Sequence, residues 1–210
     1  MNRSLTIFQV ASHTSLERGG AIQMFRLACG LRERGHRVVC IMNAAEADLE
    51  KSRQAKRRFE EAGLHLQFFA MNRIPEMFRF RRMVREMKPQ VIHVHREDAL
   101  RFVYLSTLGM SVPCLVTNRG TTYPPKWRTL ERLLIRSKKL KKVIAVAEAV
   151  KESLLSQVPL SPEKIEVVYG GVDLDEFDFR RDGSHVRDTL NIAQDCPLVV
   201  HVGSLVKKKG

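Results

Sequence analysis

The sequence predicts an α/β chain built on a parallel, doubly wound sheet. Three observations carry that prediction. Short apolar runs alternate along the chain with segments of helical periodicity. The runs are near-continuous in Val, Ile and Leu instead of strictly alternating, as in strands covered on both faces. Glycine or proline separates many of the segments, as expected where helices and strands must stop.

Each element follows in order. Leu5–Val10 (LTIFQV) is the first strand, and a loop then runs to Gly19–Gly20. From Ala21 to Arg34, Met24, Leu27, Ala28 and Leu31 recur on one helical face, and Gly35 ends the helix. Arg37–Met42 is a strand, Glu46–Ala62 a polar helix closed by Gly63, and Leu64–Phe69 a strand. Ile74–Lys88 begins with Pro75 and Glu76, which suit a first helical turn, and Lys88–Pro89 stops it. Strands follow at Val91–Val94, Cys114–Thr117, Val143–Val146 and Ile165–Val168, with helices at Asp98–Leu108, Leu130–Leu140 and Ala147–Gln157. After Gly170–Gly171 the composition shifts. The boundaries that result are a first domain over 1–172, a linker over 173–195 with a short helix at Ser184–Leu190, and the start of a second domain over 196–210. Leu198–Val202 (LVVHV) is predicted as that domain's first strand. With only Gly203 and a short basic run after it, the chain reads as truncated before the second domain.

The chain has 210 residues with 36 Lys and Arg against 23 Asp and Glu, a net charge of +13. Such an excess predicts anionic partners. It is concentrated: residues 51–88 and 126–142 each carry a surplus of seven, and the remainder is near balance. In Ile74–Lys88, Met77, Phe80, Met83, Val84 and Met87 fall at helical spacing while arginines fall elsewhere. Two readings stay open: a packed helix with a solvated basic face, or a helix lying on an anionic membrane. Lys126–Lys142 mixes Trp127 and several leucines with basic residues and admits the same pair. The basic residues are interleaved with Phe, Met and Leu and show no nucleic-acid motif, which argues against a nucleic-acid partner. Cys29, Cys40, Cys114 and Cys196 form no CxxC pair, so they read as thiols in a reducing compartment. No run is long enough to span a bilayer and no signal peptide is evident, which predicts a cytoplasmic protein, peripheral on the inner face of the plasma membrane if the basic segments dock there.

Several residues fall where an open α/β sheet binds ligands, beyond the carboxyl ends of its strands. Gly19–Gly20 precedes the first helix and reads as a plain turn or as an anion site at the helix N-terminus. His93 and His95 flank Val94; an HxH pair can bind a metal, but no third ligand is evident, so none is expected. His93 is expected to pack, and His95 to face a crevice. Glu97 and Asp98 read as helix capping or as chemistry. Arg119 ends another strand, either as a surface arginine or as a clamp for phosphate or carboxylate. Glu148, Gly170, Gly171 and Asp173 follow the later strands.

Six segments, in this order and spacing, resemble the N-terminal part of a family-4 retaining glycosyltransferase. They are Glu17–Val38, Lys88–His95 (KPQVIHVH), Val116–Gly120 (VTNRG), Lys141–Leu154, Glu163–Phe177 and Val199–Gly210. The resemblance implies a GT-B architecture of two facing Rossmann-like domains. The chain would be the acceptor-side domain of an enzyme that moves a sugar from a nucleotide-sugar donor to a membrane-linked saccharide or lipid, as in lipopolysaccharide synthesis. It implies no metal or other cofactor. By the same resemblance Gly19, Gly20, Gly203 and Lys209 serve the donor diphosphate, and His95 approaches the reacting sugar. Arg119 and Glu97 are assigned to the acceptor. The chain departs from the family at Arg119, where many members have histidine, at Gly170, where asparagine is usual, and at Ser204, where arginine is common. The family's paired glutamates, which hold the donor, lie beyond this sequence, so the chain alone is expected to be inactive. The alternative is a non-catalytic module that docks on a membrane or binds the acceptor.

Overall fold

The computed structural model describes residues 3–17, 19–44, 49–112, 114–120, 129–174, 177–178, 180, 182–201 and 203. The chain divides into two compact units, 1–170 and 171–210.

The first unit is the predicted α/β sandwich, a Rossmann-like fold. Its strands are β1 (Thr6–Ala11), β2 (Arg37–Asn43), β3 (His65–Phe69), β4 (Val91–His95), β5 (Leu115–Arg119), β6 (Leu140–Ala145) and β7 (Ile165–Val167). Between them run α1 (Gly19–Glu33), α2 (Leu49–Glu61), α3 (Ile74–Met87), α4 (Glu97–Ser106), α5 (Thr129–Arg136) and α6 (Glu148–Gln157). All pairings are parallel, in the order β3-β2-β1-β4-β5-β6-β7. The order reverses between β1 and β4, which opens a crevice at the carboxyl ends of those two strands.

The helix ends follow from local chemistry. Gly35 (φ +81°) and Gly63 (φ +65°) take the left-handed turn after α1 and α2, where a side chain would be strained. α3 starts with Pro75 in its first turn. It ends at Lys88, which is left-handed (φ 45°) and donates its N–H to Val84 O before Pro89 blocks continuation.

Alternate strand residues enter two cores, one on each side of the sheet. Val38, Cys40 and Met42 join Ala21, Met24 and Ala28 of α1 and Ala55 and Phe59 of α2. Val39 and Ile41 point the other way, into a larger core with α3 and α4. There Phe8, Phe69 and Phe102 surround Phe80, with ring centroids 6.3, 5.7 and 5.1 Å from it. Burial of this cluster is a main source of stability, because aromatic rings remove the largest apolar areas from water.

Three predicted elements differ from the structure. The helix placed at Leu130–Leu140 ends at Arg136, and the next strand starts at Leu140, earlier than Val143. Leu134, Ile135 and Leu140 are all needed in the core, and the turn at 137–139 lets both elements deliver them. Within β6 the register against β5 shifts by one residue at Lys141, so the strand carries Lys141 and Lys142 exposed to solvent. In the second unit, α7 (Ser184–Thr189) forms as predicted, but residues 198–201 are not a strand. Val199 is 95% exposed. A parallel strand exists only through its ladder partners, and the described residues of this unit contain no strand to supply them.

Candidate functional site

The crevice between β1 and β4 is lined by the loop that follows β1. Ser12, His13, Thr14 and Ser15, together with Arg96, enclose a polar recess of about 190 Å³. Gly19 and Gly20 open α1 beside this loop. A Cβ on Gly19 would meet nothing, whereas one on Gly20 would lie 3.1 Å from the His13 ring. A side chain at position 20 would therefore press on the His13 ring, which would have to shift by a few tenths of an ångström. Arg96 has φ 81° and ψ 163°, a conformation that L side chains rarely adopt. Strain of this kind, about 1–3 kcal/mol, persists where surrounding structure holds a residue for a purpose.

Below the recess a chain of polar side chains crosses three strands. His93 Nε2 donates to Asn118 Oδ1 at 2.7 Å. Asn118 Nδ2 donates to His95 Nδ1 at 3.4 Å, and His95 Nε2 donates to Gln9 Oε1 at 2.7 Å. These directions assign the Nε2–H tautomer to both imidazoles. The two rings lie 4.4 Å apart. Burial lowers the pKa of both, and in His95 the neighbouring His93 and His13 lower it further, so both are neutral at pH 7. At the end of the chain Gln9 Nε2 is buried without a hydrogen-bond partner among the described residues.

The expectation that His95 faces an open crevice is corrected. It is 4% exposed, and both ring nitrogens are engaged. His93 is packed as expected, and neither Nε2 is directed at an open metal position.

Arg119 is not a surface arginine. It ends β5 with 2% exposure, on the opposite face of the sheet from Asn118, and pairs through NH1 with Glu97. Burial pushes its guanidinium pKa down, while Glu97 and then Glu131 oppose that shift. Glu97 and Asp98 do not cap α4 through their side chains: the N-cap is Arg96, with no side-chain cap bond. Both sit in the first turn, where their charge suits the helix dipole, and Asp98 pairs with Arg101. Arg119 therefore holds a half-exposed carboxylate at the mouth of β4, and an acceptor clamp there would engage Glu97 first.

The structure thus brings Gly19, Gly20, His95, Glu97 and Arg119 to the carboxyl ends of β1, β4 and β5. Gly203 belongs to the second unit, and Lys209 and Ser204 lie outside the described residues. Glu148 is an exposed residue at the start of α6, Gly170 ends the first unit, and Gly171 and Asp173 belong to the second. Sequence reasoning missed Gln9, Arg96 and Asn118. A signal existed for Gln9, an amide inside an otherwise apolar strand run, whereas Asn118 stands between the polar Thr117 and Arg119.

The profile of glycosyltransferase family 4 matches residues 18–176, and the chain belongs to that family. No curated protein sequence matches it. Among solved structures it is similar to a glycosyltransferase from Rickettsia africae, at 17% identity and TM-score 0.67 over 93% of this chain and 52% of that one. It also resembles sucrose-phosphate synthase from Thermosynechococcus elongatus, at 12% identity and TM-score 0.65, covering 93% and 54%. A third is UDP-GlcNAc 2-epimerase from Neisseria meningitidis bound to UDP-GlcNAc, at 14% identity and TM-score 0.58, covering 91% and 54%. The chain spans about half the length of these structures, and the shared fold is that of GT-B glycosyltransferases.

Proposed function

We propose that this chain is the acceptor-side half of a retaining glycosyltransferase that moves a sugar from a nucleotide-sugar donor to a membrane-linked saccharide or lipid acceptor. The observation that carries the reading is the polar recess at the strand reversal, with Arg96 and the amino end of α1 beside it. Breaking a sugar–phosphate bond leaves charge on the departing diphosphate. Backbone N–H groups at a helix start and a fixed cation stabilise that charge without a metal. In this reading Gly19 and Gly20 approach the diphosphate, and no cofactor is needed. His95 stiffens the floor beneath the reacting sugar, and Glu97, held by Arg119, receives the acceptor hydroxyl. The complex of the Neisseria epimerase with UDP-GlcNAc supports a nucleotide sugar as donor.

A membrane-linked acceptor is supported by how the basic segments converge. Arg81 from the first donates to Ser106 O at 3.3 Å and Leu108 O at 2.5 Å, and Lys139 from the second donates to Thr107 O. Cations thus gather at the carboxyl end of α4. Residues 126–128 of the second segment lie outside the described residues.

Calorimetric titration of UDP into the chain tests the donor side. Arg96→Ala is expected to weaken binding at least tenfold, since a charge-assisted hydrogen bond is worth about 1.5–3 kcal/mol. Equal binding by the variant overturns the assignment. The anomeric configuration of a transferred sugar, read by NMR, decides retention.

A further inference from the structure

A second cavity lies beside the recess and differs from it in chemistry. It encloses about 450 Å³, within the range of about 300–1,000 Å³ typical of small-molecule sites. Its polar end is formed by Ser12 after β1, Asn43 at the end of β2, Asn72 before α3, and Asp98 and Arg101 on α4. Its other end is walled by Met77 and Leu105. These two residues also line a separate groove of about 250 Å³ between α3 and α4, continued by Ile74, Phe78 and Leu108. Met77 and Leu105 are therefore a shared wall, joining a polar pocket to an apolar track.

Each half carries an unmet demand. Ser12 Oγ and Arg101 Nε are buried without a hydrogen-bond partner among the described residues. Buried donors in that state are costly, and a bound polar group relieves them. In the groove, Ile74 and Phe78 are each 67% exposed and Leu108 is 53% exposed. Apolar residues exposed singly are ordinary, but a contiguous set lining a channel marks a binding surface. A wholly polar saccharide would leave the groove in water. A simple hydrocarbon would leave the Ser12 and Arg101 donors unanswered.

We infer that the joined cavities bind one amphiphile, with a hydroxyl-rich head between Ser12 and Arg101 and an alkyl chain passing Met77 and Leu105 along Ile74, Phe78 and Leu108. The inference rests on the proposed acceptor side and names its substrate class as a saccharide carried on an alkyl chain. Hydroxyls answer the buried donors and the Asp98 carboxylate. The chain runs toward the carboxyl end of α4, where Arg81 and Lys139 gather positive charge.

The test is a calorimetric titration of the chain with hexyl, octyl and decyl maltoside below their micelle concentrations, with maltose and with lauryl dimethylamine oxide. Affinity is expected to rise with chain length by up to about fourfold per methylene, and maltose alone is expected to bind far more weakly. Leu105→Glu at the shared wall lowers decyl maltoside affinity at least tenfold, and Phe78→Ser lowers it less. Ser12→Ala costs about two- to tenfold with maltosides and nothing with the amine oxide. Leu133→Glu on α5, which is also exposed, leaves affinity unchanged. Absence of maltoside binding overturns the inference. So does equal affinity for maltoside and amine oxide, or an equal loss in the Leu133 variant. UDP titration of the same variants separates this from the donor reading, because Leu105→Glu should retain UDP.

Discussion

β2 and β4 are the two hydrogen-bonded neighbours of β1, at the same depth and covered on both faces, yet they are built from different residues. β2 buries Val38, Val39, Cys40, Ile41 and Met42, apolar without exception. β4 places His93 and His95 at the positions paired with Gln9 and Ala11, facing the same core that receives Cys40 and Met42. The interior of β2 is filled for packing. The side at the reversal of strand order accepts polar groups whose burial must be compensated by hydrogen bonds. The difference sets the strand-reversal side of the sheet apart in chemistry without reference to any ligand.

Four measurements break or sharpen that comparison. The apolar side should give the largest effect: Phe80→Ala leaves a cavity among Phe8, Phe69 and Phe102 and should cost about 3–5 kcal/mol in urea unfolding. A loss below that of any polar-seam variant would reverse the comparison.

Acid should act on the polar side next. His93 and His95 have folded pKa values below the ordinary 6.5, chiefly through burial. Below about pH 6.5 the unfolded chain therefore binds more protons than the folded one, and stability falls as pH drops. The slope approaches about 1.4 kcal/mol per pH unit for each histidine until its folded pKa is reached. Unfolding followed from pH 7 to 5 should show this decline, and His93→Gln with His95→Gln should flatten it. An unchanged slope in the double variant would detach the effect from the seam.

Asn118→Leu should come third, at about 1–3 kcal/mol, because it strips a partner from both histidines at once. Melting of this variant checks whether the seam behaves as one network. The smallest effect has the opposite sign. Arg96→Gly removes the strain of a positive φ and should stabilise the fold by about 1 kcal/mol while weakening UDP binding. Loss of stability would mean that the Arg96 side chain holds the fold, not a ligand.

The strand–helix alternation was legible because burial on both faces leaves apolar runs, and because Gly35, Gly63 and Lys88–Pro89 stop helices by local sterics. The start of α1 at Gly19–Gly20 and the clustering of His95, Glu97 and Arg119 at strand ends followed from the same reading. Their partners did not. The burial of Arg119 depends on Glu97, 22 residues away, and His95 is tied to Gln9 across 86 residues. Pairings at that separation are set by strand order, which periodicity does not contain. The missing strand over residues 198–201 has the same origin, since an apolar run states willingness to pair but not the presence of a partner.

The ends of the strand order have a consequence for handling the protein. β7 has only three residues, with Glu166 paired to Lys142, and β3 at the other end carries exposed His65 and Gln67. Short or polar margins give a second molecule little to zip onto. Concentrated preparations should resist edge-to-edge aggregation into fibrils, and self-association, where it occurs, should begin from the oily channel between α3 and α4.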